Sequence, residues 1–310
     1  MKKILITGGA GFLGSNLCER LVKKDVQVFC LDNLFTGVKN NIRELGKYDN
    51  FNFLFHDVNQ YIHLEVDEIY HLACPASPIH YQRNPVQTTK TAVIGTLNVL
   101  ELARNVGAKI LIASTSEIYG DSEEHPQPES YHGNVNTMGP RSCYDEGKRC
   151  AESLAYDFHR QYGVDVKVAR IFNTYGPKMT LNDGRVVTNF VSQALKNEDI
   201  TIYGNGTQTR SFCYVDDLLD GFIGFMDSDL FGPFNLGNPV EYTMLELAQQ
   251  IINMTQSQSQ LKFDGLPGDD PKRRRPDISQ AKEFLNWTPK ISLAGGLSKI
   301  IEDISHRIEL

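Results

Sequence analysis

Short β-branched apolar runs alternate with longer amphipathic stretches through the first half of the chain. KILIT, VQVFCL, FNFLFH, DEIYHLA, AKILIAS and DVKVARI read as strands, and several are apolar on both faces. That pattern suits a parallel sheet covered by helices on each side. Between them, GSNLCERLVKK, VQTTKTAVIGTLNVLELARNVG and SCYDEGKRCAESLAYDFHRQYG follow helical periodicity, the last two ending at a glycine, a common helix stop. The alternation predicts an α/β, doubly wound parallel-sheet Rossmann fold with ligands at the carboxyl ends of its strands.

After residue 172 the rhythm breaks. Turn-rich pieces (NTYGPKM, LNDGR, YGNGTQTR) mix with helical VVTNFVSQALK and TMLELAQQIINM. This predicts a smaller mixed α/β substrate domain laid over the sheet. Residues 1–172 form the nucleotide domain, and 211–237 return to it through a late strand in GPFNLG. Residues 173–210 and 238–310 form the second domain, with the active-site cleft at the boundary.

Bulk composition changes this picture little. A chain of 310 residues with 41% hydrophobic and 22% charged residues is ordinary for a soluble globular enzyme. Its net charge of -7 argues against non-specific nucleic-acid binding. No apolar run approaches the roughly 18 residues of a membrane span. The start, MKKILITGGAGFLG, superficially resembles a signal peptide, but its glycine spacing has a better explanation. Six scattered cysteines without a CxxC pair predict reduced thiols and a cytoplasmic setting. His56 and His80 lack metal-ligand spacing with nearby Cys or Asp, so no metal is expected; His71 reads as a strand-end structural residue.

ITGGAGFLG places Gly8, Gly11 and Gly14 after the first strand and at the start of a helix. The early glycines permit a tight turn and close approach to a pyrophosphate, and the third lets helix and strand pack closely. The second strand ends in Asp32, whose carboxylate can accept hydrogen bonds from ribose hydroxyls and repel a 2′-phosphate, favouring NAD over NADP. Asp57 after the third strand is an adenine-side candidate. Phe12, Leu13, Asn33, Val58, Leu72 and Ala73 flank these positions and complete the expected cofactor-binding set.

SCYDEGKR sets Tyr144 and Lys148 four residues apart, on one face of a helix. A free phenol titrates near pH 10. A neighbouring ammonium and a positive nicotinamide would favour phenolate, so Tyr144 can accept a hydroxyl proton while hydride leaves the same carbon.

With TGGAGFLGS, HLACPASPIHY, STSEIYGD, RSCYDEGKR, RIFNTYGP, NDGRVVTNF, GNGTQTRSFCYVDDL, FNLGNP and DDPKRRRPDIS in one chain, the sequence resembles an extended short-chain dehydrogenase/reductase. Within that superfamily it looks like a UDP-glucuronate decarboxylase. The resemblance implies that C4 of the sugar is oxidised, the β-keto acid loses CO2, and NADH returns its hydride to give UDP-xylose. It makes Tyr144 the base and Lys148 its partner, with Thr115 or Ser116 on the sugar hydroxyl. It links Glu117 and Arg274 to decarboxylation, whether Glu117 moves protons or only positions the sugar. Asn173, Arg185 and Arg210 fall in motifs holding the diphosphate; Tyr81 flanks the glucuronate, and Tyr203 joins the substrate set. His132 stands where the family usually has tryptophan.

A basic tetrad such as KRRR (272–275) is often a solvated patch or a nucleic-acid signal; the resemblance instead puts Arg274 in the pocket and leaves Lys272 exposed. It also implies a homodimer joined through the helices of VQTTKTAVIGTLNVLELA and the Tyr/Lys motif. The nearest rival is an oxidative decarboxylase that releases UDP-4-keto-pentose and NADH. A 4,6-dehydratase is disfavoured because Ser116 stands where its aspartate would be, and a 4-epimerase has no use for Glu117 paired with Arg274. A non-catalytic NAD-sensing regulator would commonly lack the Tyr/Lys pair that this chain keeps.

Overall fold

The computed structural model describes residues 1–181, 184–265 and 273–308. The first six strands are β1 (Lys2–Thr7), β2 (Val26–Asp32), β3 (Phe51–Phe55), β4 (Glu68–His71), β5 (Lys109–Thr115) and β6 (Val166–Ile171). Beyond them come β7 (Thr174–Tyr175), β8 (Ile200–Tyr203), β9 (Thr209–Ser211), β10 (Cys213–Tyr214), β11 (Phe234–Leu236), β12 (Glu241–Thr243) and β13 (Leu261–Asp264). The main sheet has seven strands in the order β11-β6-β5-β4-β1-β2-β3. All its pairs are parallel. The order reverses between β1 and β4, which opens a crevice at their carboxyl ends.

Helix α1 (Phe12–Leu21) follows the glycine turn. Gly8 has φ +68°, and a Cβ there would lie 2.9 Å from the backbone of Leu72 and Ala73. At Gly14 a Cβ would come 2.2 Å from the carbonyl oxygen of Gly8. Only hydrogen fits at either place, so β1, α1 and the end of β4 close on one another.

After α2 (Pro78–Arg83), the helix expected over 86–107 is three joined pieces: α3 (Pro85–Lys90), a π turn at Thr91–Gly95, and α4 (Thr96–Val106). The extra residue of a π turn leaves the 3.6-residue apolar pattern readable on both sides. A Cβ on Gly95 in that turn would lie 2.8 Å from a Val58 methyl, so the irregularity sits where the helix passes the cofactor side of the sheet. Helix α5 (Ser142–Tyr162) stops at Gly163, φ +69°, a left-handed residue that ends the helix without steric cost.

The remaining helices are α6 (Val186–Leu195), α7 (Val215–Met226), α8 (Met244–Thr255), α9 (Ser279–Phe284) and α10 (Leu293–Ile308). One apolar core joins β1, β2 and α1 with α6, α7, α8 and α10, so the smaller region is continuous with one sheet face. The second core packs α4 and α5 against the other face. Strand β11, from the GPFNLG segment, pairs with β6 at the sheet edge. Among the described residues no helix is long and apolar enough to cross a membrane.

Candidate active site

One cavity of about 1240 Å³ runs along the strand ends, from Gly8 and Asp32 past Tyr144 to Glu117, Arg210 and Arg274. That exceeds the few hundred to thousand Å³ of a single-ligand pocket; it has room for two extended ligands side by side.

At the nucleotide end, Asp32 is built into the glycine turn. Its Oδ2 accepts from Ala10 N at 2.9 Å and its Oδ1 from Leu34 N at 2.7 Å. Burial raises its pKa, opposed by these two N–H donors. Asp57 accepts from Asn33 Nδ2 at 3.1 Å and from Asn59 N at 2.9 Å. Phe12, Leu13, Val58, Leu72 and Ala73 line the same end. Gly11 precedes α1 as its N-cap and supplies no side-chain bond, so first-turn N–H groups are left to meet a phosphate. The residues fit a dinucleotide.

Tyr144 lies in the first turn of α5, buried, its ring stacked on Tyr81 with centroids 5.2 Å apart and planes at 4°. The Thr115 hydroxyl hydrogen-bonds to Tyr144, but burial dominates and pushes the phenol well above its ordinary value. The sequence expectation of a phenolate called for a positive nicotinamide beside Lys148, a charge that the protein alone does not carry. The Lys148 ammonium is buried and donates to Ala113 O at 2.8 Å, so part of its charge is taken up by the end of β5. His71 beneath it is held neutral by burial and by Lys148, pushed down to about 3, between the hydroxyls of Thr7 at 2.8 Å and Thr96 at 3.1 Å.

Glu117 is the centre of the other end. Thr115 Oγ1 accepts from Glu117 N at 3.2 Å and caps the turn Ser116–Tyr119, which turns the carboxylate off the strand end. Arg274 Nη2 reaches Glu117 Oε1 at 2.8 Å and Oε2 at 3.0 Å, and Arg141 Nη2 also donates to Oε2. Burial opposes ionisation, yet Arg274, Arg141 and Arg210 together hold the carboxyl below its usual range. Arg274 Nη1 also donates to Asn173 Oδ1 at 3.3 Å.

The cavity wall includes buried Ser116 and Arg210, the latter donating to Thr209 O at 2.8 Å. Arg185 at the start of α6 and half-exposed Tyr203 at the end of β8 line it farther out. Of the basic tetrad, Arg274 is buried and Arg273 exposed, while Lys272 lies outside the described residues. The His132 carbonyl accepts from Arg149 Nη1 at 2.7 Å.

Sequence reasoning missed Arg141 and Asp145. Both stand in RSCYDEGKR, within one turn of Tyr144, so helical spacing was the available signal. Asp145 lies 3.9 Å from Arg141 Nε. Its carboxyl is pushed up to about 7 by burial and then by Glu117, against Arg141 and Arg274.

The family model described as GDP-mannose 4,6 dehydratase matches residues 5–300. UDP-glucuronic acid decarboxylase 1 of Arabidopsis thaliana is 56% identical over 306 residues, covering 99% of this chain and 70% of that one. UDP-glucose 4-epimerase from Thermotoga maritima, solved with UDP-glucose, superposes with TM-score 0.90 at 28% identity over 99% of both chains. UDP-glucuronic acid 4-epimerase from Bacillus cereus, in complex with UDP-glucuronic acid and NAD, does so with TM-score 0.87 at 26% identity, over 98% of this chain and 99% of that one.

Proposed function

Because this chain belongs to the UDP-glucuronic acid decarboxylases, a branch of the extended short-chain dehydrogenases/reductases, we propose how its own residues carry that reaction. It is an enzyme that decarboxylates UDP-glucuronate, with NAD as cofactor. The observation that carries the mechanism is Glu117 held between Arg274 and Arg141 in the cavity shared with Tyr144.

Bound NAD supplies the acceptor, and later the donor, of a hydride at sugar C4. Tyr144 takes the C4 hydroxyl proton, with Thr115 hydrogen-bonded to it as the second contact to that hydroxyl. Its phenol is buried, and positive charge from Lys148 and from a bound oxidised nicotinamide would favour its ionised form. Lys148 fixes the helix face to β5 through Ala113.

Oxidation at C4 leaves a ketone β to the C6 carboxylate, and CO2 departs to an enolate. Arg274, Arg141 and Arg210 outnumber the carboxyls of Glu117 and Asp145 in this cluster, which suits the sugar carboxylate and then the enolate. Ion-paired to both guanidiniums, Glu117 acts by aiming Arg274 and Arg141. Arg210, Arg185 and Asn173 hold the diphosphate, and Tyr81 covers the sugar. The enolate carbon takes a proton from water, and Tyr144 gives its proton back to the C4 oxygen as the hydride would return to C4, so that UDP-xylose forms with no net redox change.

Incubation with UDP-glucuronate and NAD, with products identified by NMR and NADH absorbance followed, tests this scheme. UDP-xylose without accumulating NADH is expected; UDP-4-keto-pentose with NADH in equal amount overturns it.

Two copies pair through α4 and α5. Exposed Val86, Ile94, Leu97 and Tyr156 on this flank support a homodimer. Six free cysteines support a reducing, cytoplasmic setting.

A further inference from the structure

Arg274 sits in a stretch without regular secondary structure, so neither a helix nor a strand ladder sets where its guanidinium points. Gln127 does this from a distant loop. Its N–H donates to Arg275 O at 2.9 Å, and its carbonyl accepts from Asp277 N at 3.0 Å. Its side chain closes the other two bonds: Oε1 accepts from Arg275 N at 2.8 Å, and Nε2 donates to Arg273 O at 3.3 Å. One residue thus grips the backbone on both sides of Arg274. Gln127 is only 2% exposed, so water cannot replace these bonds, and an unmatched amide there is costly.

The grip is anchored to the main sheet. Asn235 in β11 donates from Nδ2 to Gln127 O and to Asp277 O, each at 2.9 Å. Its Oδ1 accepts from Tyr119 OH at 2.8 Å, and Tyr119 accepts from Arg170 Nη1 in β6 at 3.0 Å. Arg170 is paired with Glu152 of α5. Ser211 in β9 adds a bond to Arg274 O at 3.3 Å. Gln127 itself is not part of the cavity wall.

We propose that Gln127 is a positioning residue for substrate selection: it fixes the Arg273–Arg275 backbone so that Arg274 meets the sugar carboxylate, without touching the sugar nucleotide. This rests on Arg274 binding that carboxylate. Its loss therefore weakens recognition of the carboxylate and spares the UDP and NAD contacts.

The test is calorimetric binding of UDP-glucuronate, UDP-xylose and NAD to the wild type, Gln127→Ala, Arg274→Met and the double variant. UDP-xylose lacks the carboxylate. In Gln127→Ala the preference for UDP-glucuronate over UDP-xylose is expected to fall about 10-fold, the effect of losing one well-aimed charged contact. UDP-xylose and NAD affinities hold. Adding Gln127→Ala to Arg274→Met is expected to leave the remaining preference unchanged, because both act through one contact.

Gln127→Glu keeps the acceptor for Arg275 N and loses the donor to Arg273 O. It is expected to fall between wild type and Gln127→Ala, and it carries the same readout should the alanine variant not fold. An unchanged preference in Gln127→Ala and Gln127→Glu, equal weakening of all three ligands, or additive losses in the double variant would overturn the role of Gln127. A wild type that does not distinguish the two sugar nucleotides would instead overturn the placement of Arg274, and this proposal with it.

Discussion

Around Gly8, Gly11 and Gly14 the cavity wall is backbone, contributed by a turn and a helix start within one short stretch of chain. Around Glu117 the wall is charged side chains, brought together from Arg141, Arg210 and Arg274 on segments far apart in sequence. The first half recognises by shape and N–H donors, where adding an atom does harm. The second recognises by opposed charges, where removing one does. On the proposed reading, a single fold thus carries a local site for the cofactor next to a composite site for the sugar.

The sharpest way to break this contrast is at Gly14. With a Cβ placed 2.2 Å from Gly8 O, Gly14→Ala must push α1 off β1, and such overpacking costs about 1–3 kcal/mol. NAD affinity in a dinucleotide titration is expected to fall up to about 100-fold, with the UDP end affected much less. Unchanged NAD affinity would mean that the turn is not the cofactor cradle.

Arg141→Met probes the other half. It strips one guanidinium from Glu117 and leaves Arg274. Losing a charged hydrogen bond amounts to about 1.5–3 kcal/mol, so UDP-glucuronate affinity is expected to fall about 10-fold while NAD affinity stays level. Arg141→Lys restores the charge but not the planar fork and recovers little. Equal losses for both ligands would erase the distinction between the halves.

The third probe is a pH dependence, read on stability rather than on binding. Asp145 is pushed up to about 7 in the folded protein from an ordinary 3.8. A raised pKa contributes stability that is full below the unfolded value and lost as pH rises to the folded one. Wild-type melting temperature, relative to Asp145→Asn, is expected to decline from about pH 4 to about pH 7 and level off above. A difference flat across that range would remove Asp145 from the charge cluster.

How much of this was legible follows the same division. Strands buried on both faces leave unbroken apolar runs, so the main sheet could be read from DEIYHLA or AKILIAS directly. Gly8–Gly14 and the Tyr144/Lys148 pair depend only on local spacing. One local feature misled: a π turn at Thr91–Gly95 keeps helical periodicity and so stayed invisible. The burial that raises the phenol of Tyr144 is likewise recorded by no spacing. Arg141 meets Glu117 across 24 positions and Gln127 meets Arg275 across 148, both through irregular segments. Such segments have no period to read; only the fold brings them together.

The central claim is that this enzyme removes a hydride from C4 of the sugar, loses CO2, and returns the same hydride to C4. UDP-glucuronate carrying deuterium at C4, turned over with unlabelled NAD and examined by NMR, tests it most directly. The account predicts UDP-xylose with deuterium retained at C4. UDP-xylose with protium at C4, or deuterium accumulating in free NADH beside a 4-keto-pentose, would contradict it.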